Sequence, residues 1–157
     1  MRSWCKTIAV LGALMVSACA DETKTASGAT AMQAVPFLGE LPMQDLGRGQ
    51  CALVLWAQRA SPQRLLVTLN QPAVARIEVE GKTIELARVA QSGQPLFGQY
   101  PETRYRGEGL SLGVSFTIDT AKGLNGGAVV SSAVVEYVDA KGWMTIIPTA
   151  GLIGCQT

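Results

Sequence analysis

The chain of 157 residues contains no histidine, and this absence excludes several classes of function. Histidine is the commonest metal ligand and the commonest general base in proteins. The sequence therefore cannot build a Ser-His-Asp hydrolase, a Cys-His protease or a His-liganded zinc or haem site. Glu78 and Glu80 alternate with apolar residues, so we expect both carboxylates on the solvated face of a strand. We predict a protein that is not an enzyme and holds no metal or cofactor.

An excess of charge is missing as well, since 13 Lys and Arg residues stand against 12 Asp and Glu residues. Proteins that bind phosphate backbones carry a basic patch or tail, so we expect no nucleic-acid partner. Long hydrophobic runs are also missing. The apolar run Thr7–Val16 is shorter than the roughly 20 residues of a transmembrane helix. No Cys-x-x-Cys spacing occurs, which excludes the usual motif of thiol oxidoreductases.

A processing motif closes the apolar run. Two basic residues precede the run, and it ends in Val16-Ser17-Ala18-Cys19. This pattern is typical of a signal peptide and resembles the motif of bacterial lipoprotein precursors, an aliphatic residue and two small residues before a cysteine. The resemblance implies cleavage before Cys19. It also implies a diacylglycerol on the Cys19 thiol and a further acyl chain, such as palmitate, on the new amino group, which makes the lipid bilayer a partner.

The residues around Cys19 bear on where such a protein resides. In enterobacterial lipoproteins an aspartate directly after the acylated cysteine retains the protein in the inner membrane. Ala20 holds that position here and Asp21 follows it, so the resemblance favours the outer membrane, facing the periplasm. An ordinary secretory signal cut near Ala18 is the alternative. The expected organisation is a signal peptide over 1–18, a lipidated N-terminus and linker over 19–46, and one folded domain over 47–157. Within the linker, 20–34 is expected to be flexible, and the lead-in after it offers Leu38 and Leu41 for packing on the domain.

Cys51 and Cys155 stand near the two ends of the expected domain. An even pair of cysteines in an exported chain indicates a disulfide, and two buried thiols are the alternative. A bridge between these residues would close a very long loop, so its expected role is stability.

Alternating apolar residues indicate an all-β domain. The run Leu110–Asp119 places every second residue on one buried face. The segments 75–80 and 83–87 predict a hairpin whose two-residue turn is Gly81-Lys82, and 128–138 with 143–147 predict a second hairpin. About seven or eight short strands, with turn signals between them, predict a small antiparallel barrel or sandwich.

The segment 91–109 is rich in glycine, proline, aromatic residues and arginine, which predicts a long loop. Loops on a rigid scaffold often carry recognition, and aromatic residues and arginine are common anchors at interfaces. The alternative is a loop whose aromatic side chains cap the core. The candidate residues of a partner-binding loop are Ser92, Gly93, Phe97, Tyr100, Arg104 and Arg106.

Our leading hypothesis is a membrane-anchored envelope lipoprotein whose β domain binds a protein or supports envelope structure. A second hypothesis rests on a resemblance. Ser92-Gly93 followed by Arg106-Gly107 is similar to the Ser-Gly and Lys-Gly pairs of membrane-bound inhibitors of c-type lysozyme. The resemblance implies an antiparallel barrel with a disulfide near its ends, in which Ser92 and Arg106 reach the target's catalytic carboxylates.

A third hypothesis is a carrier of a small apolar ligand, bound in the interior of a barrel. The large apolar side chains are expected only to fill that interior, and we count Trp56, Val67, Phe116 and Trp143 among them. We rank this hypothesis last, because such a carrier needs a cavity lined by these side chains.

Overall fold

The computed structural model describes residues 38–156, with the exception of the side chains of 120–123. Eight β-strands make up nearly all of the regular structure in this part of the chain. The strands are β1 Cys51–Ala57, β2 Gln63–Leu69, β3 Val74–Val79, β4 Lys82–Ser92, β5 Glu102–Gly107, β6 Leu110–Leu124, β7 Gly127–Val138 and β8 Met144–Cys155. In this part of the chain no helix is long and apolar enough to cross a membrane. The predicted signal peptide, Cys19 and most of the predicted linker lie outside the described residues.

The strands form a closed antiparallel barrel in which each strand pairs with the next along the chain. β8 returns to pair with β1, from Cys51 opposite Cys155 to Ala57 opposite Thr149. The predicted disulfide between Cys51 and Cys155 is present across this seam. The prediction of an all-β fold with seven or eight strands is confirmed, and of its two alternatives the structure is the barrel.

Alternation along the strands separates the barrel's interior from its surface. Leu112, Val114 and Phe116 of β6 point inward and are nearly fully buried, as the sequence predicts. Tyr105 and Tyr137 are the largest polar-tipped side chains in the same cluster. Each fully buried apolar side chain contributes about 1.5–3 kcal/mol relative to exposure, so this cluster is the main source of stability.

The residues before β1 cover part of the barrel's outer surface. Leu41 is fully buried, and its amide donates a hydrogen bond of 2.9 Å to the carbonyl of Arg64. The Arg64 guanidinium in turn donates to the Leu41 carbonyl at 3.0 Å. Leu41 packs in a second apolar cluster with outward-facing residues of β1, β2 and β3: Ala52, Val67, Leu69 and Val74. Val67 therefore lies outside the barrel, where the prediction placed it inside. The stretch 38–46, assigned to the linker from sequence, is held on the barrel by these contacts.

The prediction of a long loop over 91–109 is wrong in the second half of that segment, because β5 occupies Glu102–Gly107. Thr103 and Tyr105 point inward, whereas Arg104 and Arg106 point to solvent. The sequence does not indicate this strand clearly, because its alternation is short and its outward-facing residues are charged.

The first hairpin turn is also displaced by one residue from its predicted position. Its central residues are Glu80 and Gly81, both with positive φ (51° and 79°), and Val79 pairs with Lys82. Two consecutive positive φ values are the geometry of a type I′ turn, which matches the twist of a two-stranded hairpin.

Trp143 was expected in the interior, and this prediction is wrong. The residue lies at the β7–β8 turn with 74% of its surface exposed. Trp56 is half-buried, and Phe116 alone among the three predicted aromatic interior residues belongs to the core.

Candidate functional site

Ser92 and Gly93 lie where β4 ends, beside the start of β5. Ser92 stands opposite Glu102, and the Ser92 hydroxyl donates a hydrogen bond of 2.6 Å to the Glu102 carboxylate. This hydrogen bond fixes the rotamer of Ser92 and uses the one proton that its hydroxyl can donate. Gly93 has a φ of 86°, and a Cβ there would overlap with the ring of Pro101. Glycine is therefore required for the chain to leave β4 at this point.

Two adjoining depressions open on the barrel's outer surface next to Ser92, with volumes of about 440 and 380 Å³. Both are lined by Ser92, Glu102 and Ser115, and together they cross β4, β5, β6 and β7. We call the combined surface the β4–β7 groove, defined by Ser92, Glu102, Arg104, Gly113, Ser115 and Glu136.

One row of residues explains the depth of the groove. Arg104, Gly113 and Glu136 are direct neighbours on β5, β6 and β7. Because Gly113 has no side chain, the floor stays low between the two charges. The Arg104 guanidinium and the Glu136 carboxylate approach to 3.8 Å across it, with side-chain exposures of 67% and 40%. An ion pair this exposed contributes little stability, so both charges can engage a partner at small cost.

A second row runs parallel to the first, with Glu102 opposite Ser115. The groove therefore presents two carboxylates, one guanidinium and small hydroxyl-bearing side chains on a rigid sheet. Such a surface suits hydrogen bonding and ion pairing with a polypeptide that carries both signs of charge.

Phe97 and Tyr100 belong to a different feature, a short excursion between β4 and β5 that covers one end of the barrel. Leu96 and Gln99 exchange two backbone hydrogen bonds of 2.9 Å around the turn at Phe97 and Gly98. The Gln99 side chain, 2% exposed, then enters the barrel end.

The Gln99 amide donates to the Cys51 carbonyl at 3.1 Å, and its oxygen accepts from the Thr68 hydroxyl at 2.7 Å. Tyr100 lies under the Arg88 guanidinium, whose central carbon is 5.3 Å from the ring centroid. These contacts favour the core-capping alternative for this part of the segment, although Phe97 keeps 36% of its surface exposed.

Arg106 does not lie with Ser92. It stands opposite Ala87 and Ser111, four residues along β5 from the row that contains Ser92. At the usual rise per residue this places the two positions about 13 Å apart along the strand. The structure therefore brings Ser92 together with Arg104, and separates it from the arginine that the sequence comparison paired with it.

The sequence reading missed Gly113, Ser115 and Glu136 as site residues. They lie far from Ser92 in the chain, and only strand register places them beside it. The spaced charges of Glu102 and Arg104 are visible in the sequence, but they give no sign of which neighbours they meet.

Within residues 38–156 no group of three or more Cys, Asp or Glu side chains is arranged to hold a metal ion. Comparison with known proteins gives no relatives: no family model, no curated protein and no solved structure matches this chain.

Proposed function

We propose that this protein is a lipid-anchored, non-enzymatic envelope module that binds a protein partner through the β4–β7 groove. The observation that carries the proposal is the groove itself, where Glu102, Arg104 and Glu136 are solvent-facing on the outside of a closed barrel. The scaffold is rigid, because every strand is paired on both sides. A rigid backbone loses little entropy when a partner binds, which favours recognition.

The proposed location in the cell envelope is supported by the sequence motif around Cys19 and by the disulfide between Cys51 and Cys155. Acylation at Cys19 would anchor the chain, and a disulfide between Cys51 and Cys155 is in keeping with an oxidising compartment such as the periplasm. The outer membrane remains the favoured membrane, since Ala20 follows the cysteine.

Site-specific photocrosslinking in intact cells tests the binding surface. A photoreactive phenylalanine analogue at Ser115, in the groove, is expected to capture one partner in good yield. The same analogue at Thr83, exposed on β4 near the opposite barrel end, is the matched control and is expected to capture none. Arg104→Glu should abolish the Ser115 crosslink, because it places three carboxylates together. Equal crosslinking at Ser115 and Thr83, or a Ser115 crosslink that persists in Arg104→Glu, would refute the proposal that the groove binds the partner.

The anchor is tested separately by mass spectrometry of the N-terminal peptide and by extraction. The expected result is a triacylated Cys19 and a protein that stays in the membrane fraction after a high-salt wash. A Cys19→Ala chain should then be found unacylated. An N-terminus cut elsewhere, without acyl chains, would refute the lipid anchor but not the groove.

Inhibition of c-type lysozyme is the second candidate, and one observation favours it. Ser92 and Arg104 line one groove, so a hydroxyl and a cation are available to bind acidic side chains there. Glu102 argues against inhibition of lysozyme. Its carboxylate already accepts the hydrogen bond of the Ser92 hydroxyl, and it repels the carboxylates of a target.

A lysozyme activity assay separates the two candidates. If the protein is an inhibitor, Arg104→Ala should weaken inhibition, Glu102→Gln should strengthen it, and Arg106→Ala should change it little. No inhibition at micromolar concentration would exclude this candidate. Carriage of an apolar ligand has less support, because the barrel's inward-facing side chains pack into one buried cluster.

A further inference from the structure

One side of the barrel is apolar yet open to water. β8 contains no charged residue, and its outward-facing side chains Met144, Ile146 and Leu152 are 60%, 64% and 38% exposed. Pro148 lies between them on the same side and is exposed too. With Trp143 at the turn, these residues form a continuous stripe, which we call the β8 face. Contiguous exposed apolar side chains rimmed by polar residues mark surfaces that contact a protein or a membrane.

The turn before β8 holds Trp143 in place. The Asp139 carboxylate accepts hydrogen bonds from the amides of Lys141 at 2.8 Å and Trp143 at 2.9 Å. The Asp139 amide donates to the Trp143 carbonyl at 3.0 Å. The indole is therefore presented to solvent from an ordered backbone, and its exposure is not the result of a loose turn.

The described chain enters the barrel at the same end. Leu38 forms a β-bridge with Val79, the last residue of β3. Because β3 and β7 run in the same direction in this meander, the end of β3 and the β7–β8 turn share one end of the barrel. Leu38, the first described residue, and Trp143 therefore lie at the same end of the barrel.

We propose that the β8 face rests on the surface of a phospholipid bilayer, with Trp143 at the boundary between headgroups and acyl chains. This inference rests on the lipid anchor proposed above. Tryptophan is enriched at that boundary, because its ring is apolar and its N–H is polar. The chain from Cys19 to Leu38 spans at most about 65 Å, so an anchored barrel stays within reach of the bilayer. Tethering makes the contact intramolecular, and a weak apolar face is then sufficient.

The groove and the β8 face meet at one edge, because Glu136 of β7 pairs with Ile146 of β8. The other edge of the groove, at Ser92, lies farther away. In an eight-stranded barrel β4 is the strand farthest from β8, and the β4–β7 groove begins there. A barrel resting on β8 therefore turns the Ser92 and Arg104 end of the groove away from the membrane, toward the periplasmic space.

The test is quenching of Trp143 by brominated phospholipids in vesicles of phosphatidylethanolamine and phosphatidylglycerol. The acylated protein, which begins at Cys19 in this proposal, is used with Trp56→Phe, so that Trp143 is its single tryptophan and the reporter. The expected result is a blue-shifted emission and at least twofold quenching, both reduced by Ile146→Ser. The matched control carries Trp143→Phe and Val89→Trp, which moves the reporter to an exposed site on β4, and is expected to show neither effect.

Emission of Trp143 at the solvent wavelength, with no quenching while the protein stays on the vesicles, overturns the inference. A blue shift that needs no vesicles and grows with protein concentration also overturns it, since the face is then covered by a second copy. A chain that lacks acyl groups refutes the anchor alone. The Cys19 thiol can then be coupled to a maleimide phospholipid, and the same quenching measurement decides whether the β8 face contacts lipid.

Discussion

The seam between the first and last strands is closely packed at one glycine. Gly151 of β8 stands opposite Leu55 of β1. A Cβ at Gly151 would overlap with the backbone carbonyl oxygen of Val54, which cannot rotate away as a side chain can. Gly151→Ala must therefore push β8 away from β1.

The expected cost follows from the contacts that separate. Overfilling a packed site costs about 1–3 kcal/mol. Each backbone hydrogen bond weakened at the seam adds about 1 kcal/mol. We expect Gly151→Ala to lower the free energy of unfolding by about 2–4 kcal/mol.

The matched control is three residues away on the same strand. At Gly154 the nearest atom to an added Cβ is a Leu152 methyl carbon at 3.7 Å, an ordinary van der Waals distance. Gly154→Ala is expected to be neutral, or to stabilise by up to about 1 kcal/mol because alanine restricts the unfolded chain.

Urea unfolding of both variants, followed by far-UV circular dichroism with the disulfide intact, measures the difference. A Gly151→Ala variant within about 0.5 kcal/mol of Gly154→Ala would refute the reasoning, because the seam would then yield without breaking contacts.

Three further predictions concern stability. Replacing Cys51 and Cys155 by alanine should lower the unfolding free energy by about 4.7 kcal/mol in the chain-entropy model, given the separation of 104 residues; a loss below about 1 kcal/mol in denaturant titration would contradict it. Leu41→Ala should cost about 2–4 kcal/mol because it empties a fully buried site, whereas Met43→Ala, at 81% exposure, should change the midpoint little. Burial, then the charges of Asp139 and Glu80, raise the pKa of Tyr137 above its ordinary 10.0, so its contribution to stability is fully present below pH 10 and is lost as pH rises further. Tyr137→Phe should remove that part of the alkaline slope in thermal melts, and an unchanged slope would contradict the cause.

Strand prediction succeeded where alternation was long and uninterrupted. β6 was predicted from Leu110 to Asp119 because five apolar residues occupy every second position, and the strand continues to Leu124. β5 was missed because its inward side offers only Thr103 and Tyr105 between flanking glycines and prolines. A run this short gains its structure from the neighbouring strands, and propensity alone does not indicate it.

Burial was harder to predict than strand position. Trp143 is the first residue of an apolar run. The sequence does not show that this residue belongs to the turn before β8 and that its side chain faces water. Val67 and Leu41 are buried outside the barrel, because the chain before β1 folds back over β2. A periodic pattern identifies a covered face, but it does not identify what covers it.

The candidate site was predictable only in part. Ser92 and Gly93 were identified from a dipeptide, and the groove does contain Ser92. The partner charge was assigned to Arg106 by spacing along the chain, whereas register selects Arg104. Register depends on turn positions and bulges, such as the irregularity between Arg88 and Ala90, and sequence spacing does not reveal these.

Closure of the barrel has a kinetic consequence. Seven of the eight strand pairings join consecutive strands, and each can form soon after its hairpin appears. The pairing of β1 with β8 instead requires nearly the whole domain, and such long-range contacts slow folding. Until it forms, both strands are unpaired edges, and neither contains a charged residue to deter association with other chains. The period before closure is therefore when this protein is most prone to aggregate, and when a holding chaperone would have the greatest effect on its yield.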